Sequence, residues 1–172
     1  MRKKDHIRLA LADKTTLTSL DAYAIDYNSV PRFGLDSLDT STTICNKKWQ
    51  FPFFINAITA GGEECNKINQ DFMEVSKACG IEFFPGSYSP ALKDKNDEAE
   101  YPKGYSINLG LDKDPNLILD AIEKTKAQYI QLHTNPLQEI VMPEGDHNFE
   151  SWLSTLTEVS KKSPIPVIRS EE

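Results

Sequence analysis

The chain has 172 residues, of which 39% are apolar and 26% are charged, and its formal net charge is −7. This is the composition of an ordinary soluble globular protein, with enough apolar side chains for a core. The acidic balance argues against general nucleic-acid binding, and without a run of about 18 apolar residues no transmembrane helix is predicted.

The cysteines bear on compartment and on metal sites. Cys45, Cys65 and Cys79 are odd in number and widely spaced, so they predict neither a zinc site nor a disulfide framework. No apolar signal core follows the charged start of the chain. A reducing, cytoplasmic location is therefore the simplest expectation.

Residues 1–50 are predicted to be an N-terminal helix followed by a segment that wraps the rest of the chain. The helix is expected from Arg2 to about Leu11. Residues 13–50 are rich in Thr, Ser and Asp, which predicts irregular structure with a short strand near residues 42–44. The basic residues at the start of the helix oppose its macrodipole, so an anion is expected nearby.

From residue 51 onward, apolar runs alternate with helical patterns. This alternation predicts an α/β domain over residues 51–172, with parallel strands and right-handed crossovers. Strands are expected near residues 51–57, 81–85, 105–108, 129–133 and 165–168, adjacent in that order. Helices are expected at residues 63–79, 115–126 and 149–162, where apolar residues recur at helical spacing.

Four successive predicted strands end in small or hydrogen-bonding residues. These are Asn56 and Thr59 with Gly61 and Gly62, then Gly86 to Ser89, then Asn108 and Gly110, then His133, Asn135, Gln138 and Glu139. Ligands bind at the carboxyl ends of parallel strands, and glycines let a planar or phosphorylated ligand approach the backbone. The repetition predicts a binding site, although each residue alone also has an ordinary structural explanation.

These residues lie in segments that resemble the type 2 isopentenyl diphosphate isomerases, which use FMN. The matching segments are Arg2-Lys3-x-x-His6-Ile7, Phe53-Phe54-Ile55-Asn56-Ala57-x-Thr59, Gly86-Ser87-Tyr88-Ser89-x-Ala91-Leu92-Lys93, Asn108-Leu109-Gly110, His133-x-Asn135-x-x-Gln138-Glu139 and Met142-Pro143-Glu144-Gly145. They follow the family's order across nearly the whole chain, and the segment from His133 to Glu139 is highly specific to the family.

The resemblance implies a role for each matching position. FMN contacts are implied at Ala57, Ile58, Thr59, Ser87 and Asn108. Substrate contacts are implied at Arg2, Lys3, His6, Ser89, Asn135 and Gln138. His133 and Gln138 are implied to be catalytic, and Glu139 is implied to bind Mg2+, which prefers oxygen ligands.

The implied reaction interconverts isopentenyl and dimethylallyl diphosphate in isoprenoid biosynthesis by moving a carbon–carbon double bond. The implied cofactors are FMN, Mg2+ and NAD(P)H, with reduced FMN acting in acid–base chemistry and not as a net electron donor. The protein is implied to supply positioning and a dry pocket.

Two departures from the family pattern modify this expectation. Ala60 replaces a glycine, and its methyl group could crowd a flavin or strain the backbone. The family continues beyond the position of Ile168 with Lys-Glu-Val-Gly and three further βα units, whereas this chain ends at Glu172. The resemblance therefore predicts a partial, truncated TIM (β/α)8 barrel of about five strands, because a complete barrel needs roughly 250 residues.

We expect such a chain alone neither to hold FMN tightly nor to isomerise substrate at a useful rate. A homo-oligomer or a complementary C-terminal half would then be needed to complete the barrel. The alternatives are an inactive fragment, one piece of a split enzyme, or a small flavodoxin-like flavin-binding protein. The last would be doubly wound, with the strand order reversing at the first strand.

Overall fold

A computed structural model describes residues 8–9, 11–13, 22–24, 26–143 and 145–170. The strands are β1 (Thr42–Ile44), β2 (Lys47–Trp49), β3 (Phe54–Ile55), β4 (Glu82–Phe83), β5 (Ile107–Gly110), β6 (Ile130–His133) and β7 (Val167–Ser170). The helices are α1 (Glu63–Cys79), α2 (Lys95–Glu100), α3 (Pro115–Thr125), α4 (Pro136–Val141) and α5 (Trp152–Lys162), with a 3-10 turn at Leu35–Ser37. No helix within the described ranges is long and apolar enough to cross a membrane.

Strands β3 to β7 lie side by side in chain order and are parallel. β3 pairs with β4, and β6 pairs with both β5 and β7. Ser87, just beyond β4, forms parallel bridges to Ala60 and to Asn108, which join the two groups into one row. The order does not reverse at β3, as a doubly wound sheet would require. The fold is mixed α/β with short parallel sheets, and the described strands do not close into a barrel.

The two faces of this row differ in chemistry. Successive strand residues point to opposite faces. Ile107 and Leu109 of β5 and Leu132 of β6 pack against α3 and α5 in one buried apolar cluster. The intervening residues on the other face are mostly polar, and they include Ser106, Asn108, Gln131, His133 and Ser170. Tyr129 and Ile168 lie on the same face but belong to a second apolar cluster. One face therefore forms the main core with the helices, while the other carries polar side chains beside this smaller cluster.

The polar face is concave. Gln131 Nε2 donates a hydrogen bond of 2.8 Å to Asn56 Oδ1, which follows β3 in the chain. Strands β4 and β5 lie between β3 and β6, so the row must curl for these side chains to meet. Ile168 of β7 also packs into the cluster that contains Ala57, which lies just beyond β3.

A β-hairpin covers the amino-terminal end of this concave face. β1 and β2 pair antiparallel through a turn in which Cys45 and Asn46 have φ of 50° and 62°, as a tight hairpin turn requires. Trp49 of β2 is only 2% exposed, and its Nε1 donates a 2.7 Å hydrogen bond to the Tyr129 hydroxyl. Only the first of these strands was predicted, because a Cys-Asn turn lacks the glycine that usually indicates a hairpin.

Helix α1 has the predicted bounds, but only part of its predicted apolar side is covered: Phe72 packs on Phe83. Val75 is 45% exposed and Cys79 is exposed, although both were assigned to the apolar side. The buried side instead includes Cys65, Asn66 and Asn69. The helix docks partly through hydrogen bonds, since Asn69 and Asn66 bond to side chains outside it, and apolar spacing does not reveal such contacts.

The segment before the hairpin lies on the surface. Every residue from 26 to 40 is exposed, and Tyr27 is 90% exposed. The expectation that this segment wraps the rest of the chain stays a prediction. Most of the predicted helix from Arg2 to Leu11 lies outside the described residues, although positions 8, 9, 11 and 12 are helical.

Candidate functional site

A chain of four polar side chains crosses the concave face near the carboxyl ends of β5 and β6. His133 Nδ1 lies 3.0 Å from Asn108 Oδ1. Asn108 Nδ2 donates to Gln131 Oε1 at 2.8 Å, and Gln131 Nε2 donates to Asn56 Oδ1 at the same distance. Asn108 is fully buried and Gln131 is 1% exposed. Buried amides that satisfy one another in this way hold a fixed geometry.

The other edge of the His133 ring faces the end of β5. A Cβ built on Gly110 would lie 3.0 Å from His133 Nε2 and 2.6 Å from Asp112 Oδ1. A side chain at this position would press on both His133 and Asp112, and one of them would have to move. Asp112, which forms an ion pair with Lys113, therefore places a carboxylate beside the histidine ring.

The ends of β3 and β4 meet through backbone contacts. Ser87 N–H donates to the Thr59 carbonyl at 2.9 Å, and a Cβ on Gly86 would lie 1.8 Å from that carbonyl oxygen. Gly86 is thus required for this close approach. Thr59 is 1% exposed, and its hydroxyl donates to Asn69 of α1 at 2.6 Å. Its side chain faces the helix, so a ligand here would meet the backbone of residue 59.

The remaining implied flavin and substrate positions differ in their exposure to solvent. Ile58 is 41% exposed and Ala57 is buried at 7%. Ser87 and Ser89 are half-buried, and Ser89 N–H donates to Ser87 Oγ at 3.2 Å. Arg2, Lys3 and His6 lie outside the described residues.

Asn135 begins helix α4, which the sequence analysis missed. Its Oδ1 accepts the Gln138 N–H at 3.0 Å, and Pro136 occupies the first turn, where a missing N–H costs nothing. Gln138 Nε2 lies 3.8 Å from the sulfur of Met142. Asn135 and Gln138 therefore lie on one short helix directly after β6, with the Asn135 side-chain oxygen used as its cap.

Glu139 is fixed by the loop that follows α4. Its Oε2 accepts the Asp146 N–H at 2.7 Å, and Asp146 Oδ2 accepts from Trp152 Nε1 at 2.9 Å. A Cβ on Gly145 would lie 2.0 Å from the Glu139 carbonyl oxygen, so this position also requires glycine. Hydrogen bonds from the Asn148 backbone and from Trp152 lower the pKa of Asp146. Glu139 is half-buried and oriented, as a ligand carboxylate should be.

The donor groups at the strand ends bear on which metal or flavin could bind. No cluster of three or more His, Cys, Asp or Glu side chains occurs within the described ranges. A single carboxylate such as that of Glu139 is compatible with a hard cation such as Mg2+, because Mg2+ often takes one protein carboxylate together with water and phosphate oxygens. The crevice between α1 and the loops that follow β3 and β4 holds only about 10 Å³, which is too small for a flavin ring.

Most predicted site residues that the structure describes lie at the carboxyl end of the strands. Asn108 contacts His133 and pairs with Ser87, which in turn bonds to Thr59. Gln131 and Asp112 were not predicted to be site residues. Gln131 is a polar residue inside an apolar strand, next to a polar position on β5, and that alternation was the available signal.

Several curated proteins have sequences similar to that of this chain. No protein-family model matches the chain. It is 36% identical, over 176 aligned positions, to a protein of Streptococcus gordonii named isopentenyl-diphosphate delta-isomerase, covering 99% of this chain and 53% of that protein. Proteins of the same name from Streptococcus mutans and Streptococcus pyogenes are each 35% identical, with 53% and 54% of their lengths covered. The chain spans about half the length of these curated relatives.

Proposed function

We propose that this chain forms part of an isopentenyl-diphosphate delta-isomerase of the type 2, FMN-dependent class. The supporting observation is the row of polar side chains at the carboxyl ends of β3 to β6, together with 36% identity over nearly the whole chain to a protein of that name. The relatives' name does not specify a cofactor. The flavin and Mg2+ in this proposal rest on the family resemblance and on the fit of the residues described above.

We propose further that β3 to β7 are consecutive strands of a (β/α)8 barrel. Parallel strands in chain order, helices on the outer face, and functional side chains at the carboxyl ends of the strands are the features of such a barrel. Within the described ranges, β3 and β7 each have a hydrogen-bonded strand neighbour on one side only. A doubly wound flavin carrier would need the order to reverse at β3, so this alternative is disfavoured.

In this proposal each group has a place around the strand ends. The backbone of residues 57–59, Ser87 and Asn108 would contact the flavin ring. Glu139 would bind the Mg2+ that neutralises the diphosphate. When bound, reduced FMN would supply acid–base chemistry beside the alkene. His133 and Gln138, which follow or end β6, would contact the isoprenoid and orient it.

The proposed reaction is balanced without any net oxidation. One proton is added to the terminal alkene carbon of isopentenyl diphosphate, and one is removed from the carbon on the other side of the double bond. The charge that develops between these two steps is positive. A site lined by neutral amides and carboxylates, with water excluded, favours that charge.

The proposal predicts saturable FMN binding at the strand ends. In a fluorescence titration we expect the chain to quench FMN, weakly but measurably below about 1 mM. The Ser87→Leu variant should weaken this binding by about tenfold or more, because the larger side chain occupies the place of the ring. Ser160→Leu, at an exposed position of α5, is the matched control and should bind as the unaltered chain does. Equal affinity for both variants would contradict the flavin site.

A further inference from the structure

We propose that Asn56, Gln131 and Asn108 act as positioning residues that keep the proton of the neutral His133 imidazole on Nδ1. This inference deepens the proposed function and rests on it only for the role of His133 in catalysis. The arrangement of the ring itself follows from the hydrogen bonds of the concave face.

The hydrogen bonds all run in one direction. Gln131 gives its Nε2–H to Asn56, so its Oε1 faces Asn108. Asn108 uses its Nδ2–H for that oxygen, which leaves its Oδ1 facing His133 Nδ1 at 3.0 Å. A carbonyl oxygen can only accept. The ring nitrogen opposite it must therefore donate, and the proton lies on Nδ1.

Burial makes the rotation of any single amide in this chain of hydrogen bonds costly. Asn108 is 0% exposed and Gln131 is 1% exposed, so neither amide can exchange its partner for water. Rotating Asn108 alone would place two N–H groups against His133 and two oxygens against each other at Gln131. The chain reverses only if all its amides turn together, and Asn56 at its exposed end then needs to donate where it now accepts.

The consequence concerns the second ring nitrogen. In free histidine the neutral ring favours the proton on Nε2, whereas here Nε2 is the nitrogen without it. Nε2 is directed to the end of β5, beside Gly110 and Asp112, where the proposed substrate would lie. A ring held in this form can accept a proton at Nε2 while its orientation stays fixed through Nδ1.

Long-range proton–nitrogen NMR on the full 172-residue chain labelled with 15N-histidine tests this inference. The spectrum distinguishes a protonated from an unprotonated ring nitrogen. His6→Gln and His147→Gln variants assign the signals of the three histidines. For the neutral ring, we expect the unaltered chain to show Nδ1–H and an unprotonated Nε2.

Three substitutions separate positioning from a merely structural role. Gln131→Met keeps the side-chain length but removes the acceptor for Asn108, so the ratio of Nδ1–H to Nε2–H should fall by about tenfold or more. Asn56→Asp keeps an acceptor for Gln131 and should leave the ratio unchanged. Asn56→Leu, at an exposed position, removes that acceptor and should shift the ratio in the direction of Gln131→Met. This substitution at an exposed position tests the chain of hydrogen bonds from Asn56 to His133 even if Gln131→Met fails to fold.

The outcomes are distinct from those of the proposed function, because the spectra need neither flavin nor substrate. A ring with its proton on Nε2 in the unaltered chain would overturn the inference. So would Gln131→Met and Asn56→Leu variants that lower the unfolding temperature and leave the ratio unchanged. A fixed Nδ1–H in this chain, combined with no isomerisation by a folded fusion protein that supplies the rest of the barrel, would support the positioning role and count against the proposed function.

Discussion

Replacing Glu139 by Gln is expected to reduce Mg2+-dependent turnover by about 10²- to 10³-fold, which corresponds to roughly 3–4 kcal/mol of transition-state stabilisation. Gln has nearly the same shape, and its amide oxygen can still accept the Asp146 N–H that now bonds to Glu139 at 2.7 Å. The loop after α4 should therefore keep its conformation. What the substitution removes is the negative charge that, in the proposed function, binds Mg2+.

The measurement is the initial rate of isomerisation as a function of Mg2+ concentration. It uses the fusion protein described below, which is expected to be active. The variant should need more Mg2+ as well as being slower. Glu123→Gln makes the same change of charge at an exposed position of α3 and should leave the rate and its Mg2+ dependence unaltered. A Glu139→Gln protein with the rate and Mg2+ dependence of the unaltered protein would exclude Glu139 as the metal ligand.

Trp49→Ala is expected to have the largest effect on folding, about 3–5 kcal/mol in the free energy of unfolding. The indole is 2% exposed, and its ring lies 5.7 Å from those of both Phe54 and Tyr129. It also donates a hydrogen bond to the Tyr129 hydroxyl, whose burial raises the pKa of that group. Because a domain has only about 5–15 kcal/mol of net stability, this one loss removes a large part of it.

Urea unfolding measures this loss as a lower midpoint with an unchanged slope. Phe53→Ala is the matched control, because this ring is 54% exposed and stacks only on Phe51 among the aromatic residues described. We expect it to cost about 1 kcal/mol or less. Equal losses for the two variants would show that the hairpin is not the cover of the concave face.

The regular parts of this fold were predictable from local pattern. Helix α1 was predicted at its observed bounds, because Gly80 adopts the left-handed conformation that ends a helix. Helix α5 begins at Trp152, three residues later than predicted, and Leu153 is 75% exposed although it was assigned to the apolar side. The strand order follows from the βα alternation, since right-handed crossovers place successive strands next to one another.

The missed features depend on contacts between residues distant in sequence. Phe53 belongs to a run that predicted a strand buried on both faces, but β3 has only two residues and Phe53 is exposed. Gln131 was overlooked because its importance comes from Asn56, 75 positions earlier. Helix α4 was missed although Asn135-Pro136 is a strong helix start, because those residues had been interpreted only as the end of a strand.

The same limit applies to the site. His133 and Asn108 were predicted to share one end of the sheet, and the structure places them 3.0 Å apart. The position of a residue in the fold does not by itself establish which ligand it contacts. Whether Ser87 contacts a flavin, or Glu139 a cation, depends on groups that neither the strand pattern nor the hydrogen bonds supply, so these assignments stay predictions.

The most direct test of the central claim is isomerisation by a fusion protein. In it, this chain is joined to the carboxyl-terminal half of the Streptococcus gordonii relative. The chain itself covers 53% of that relative's whole length. With FMN, NAD(P)H and Mg2+ present, proton NMR should show isopentenyl diphosphate converting to dimethylallyl diphosphate. The intact relative serves as the positive control. A folded fusion protein that binds FMN but leaves the double bond in place, while the relative is active, would contradict the account.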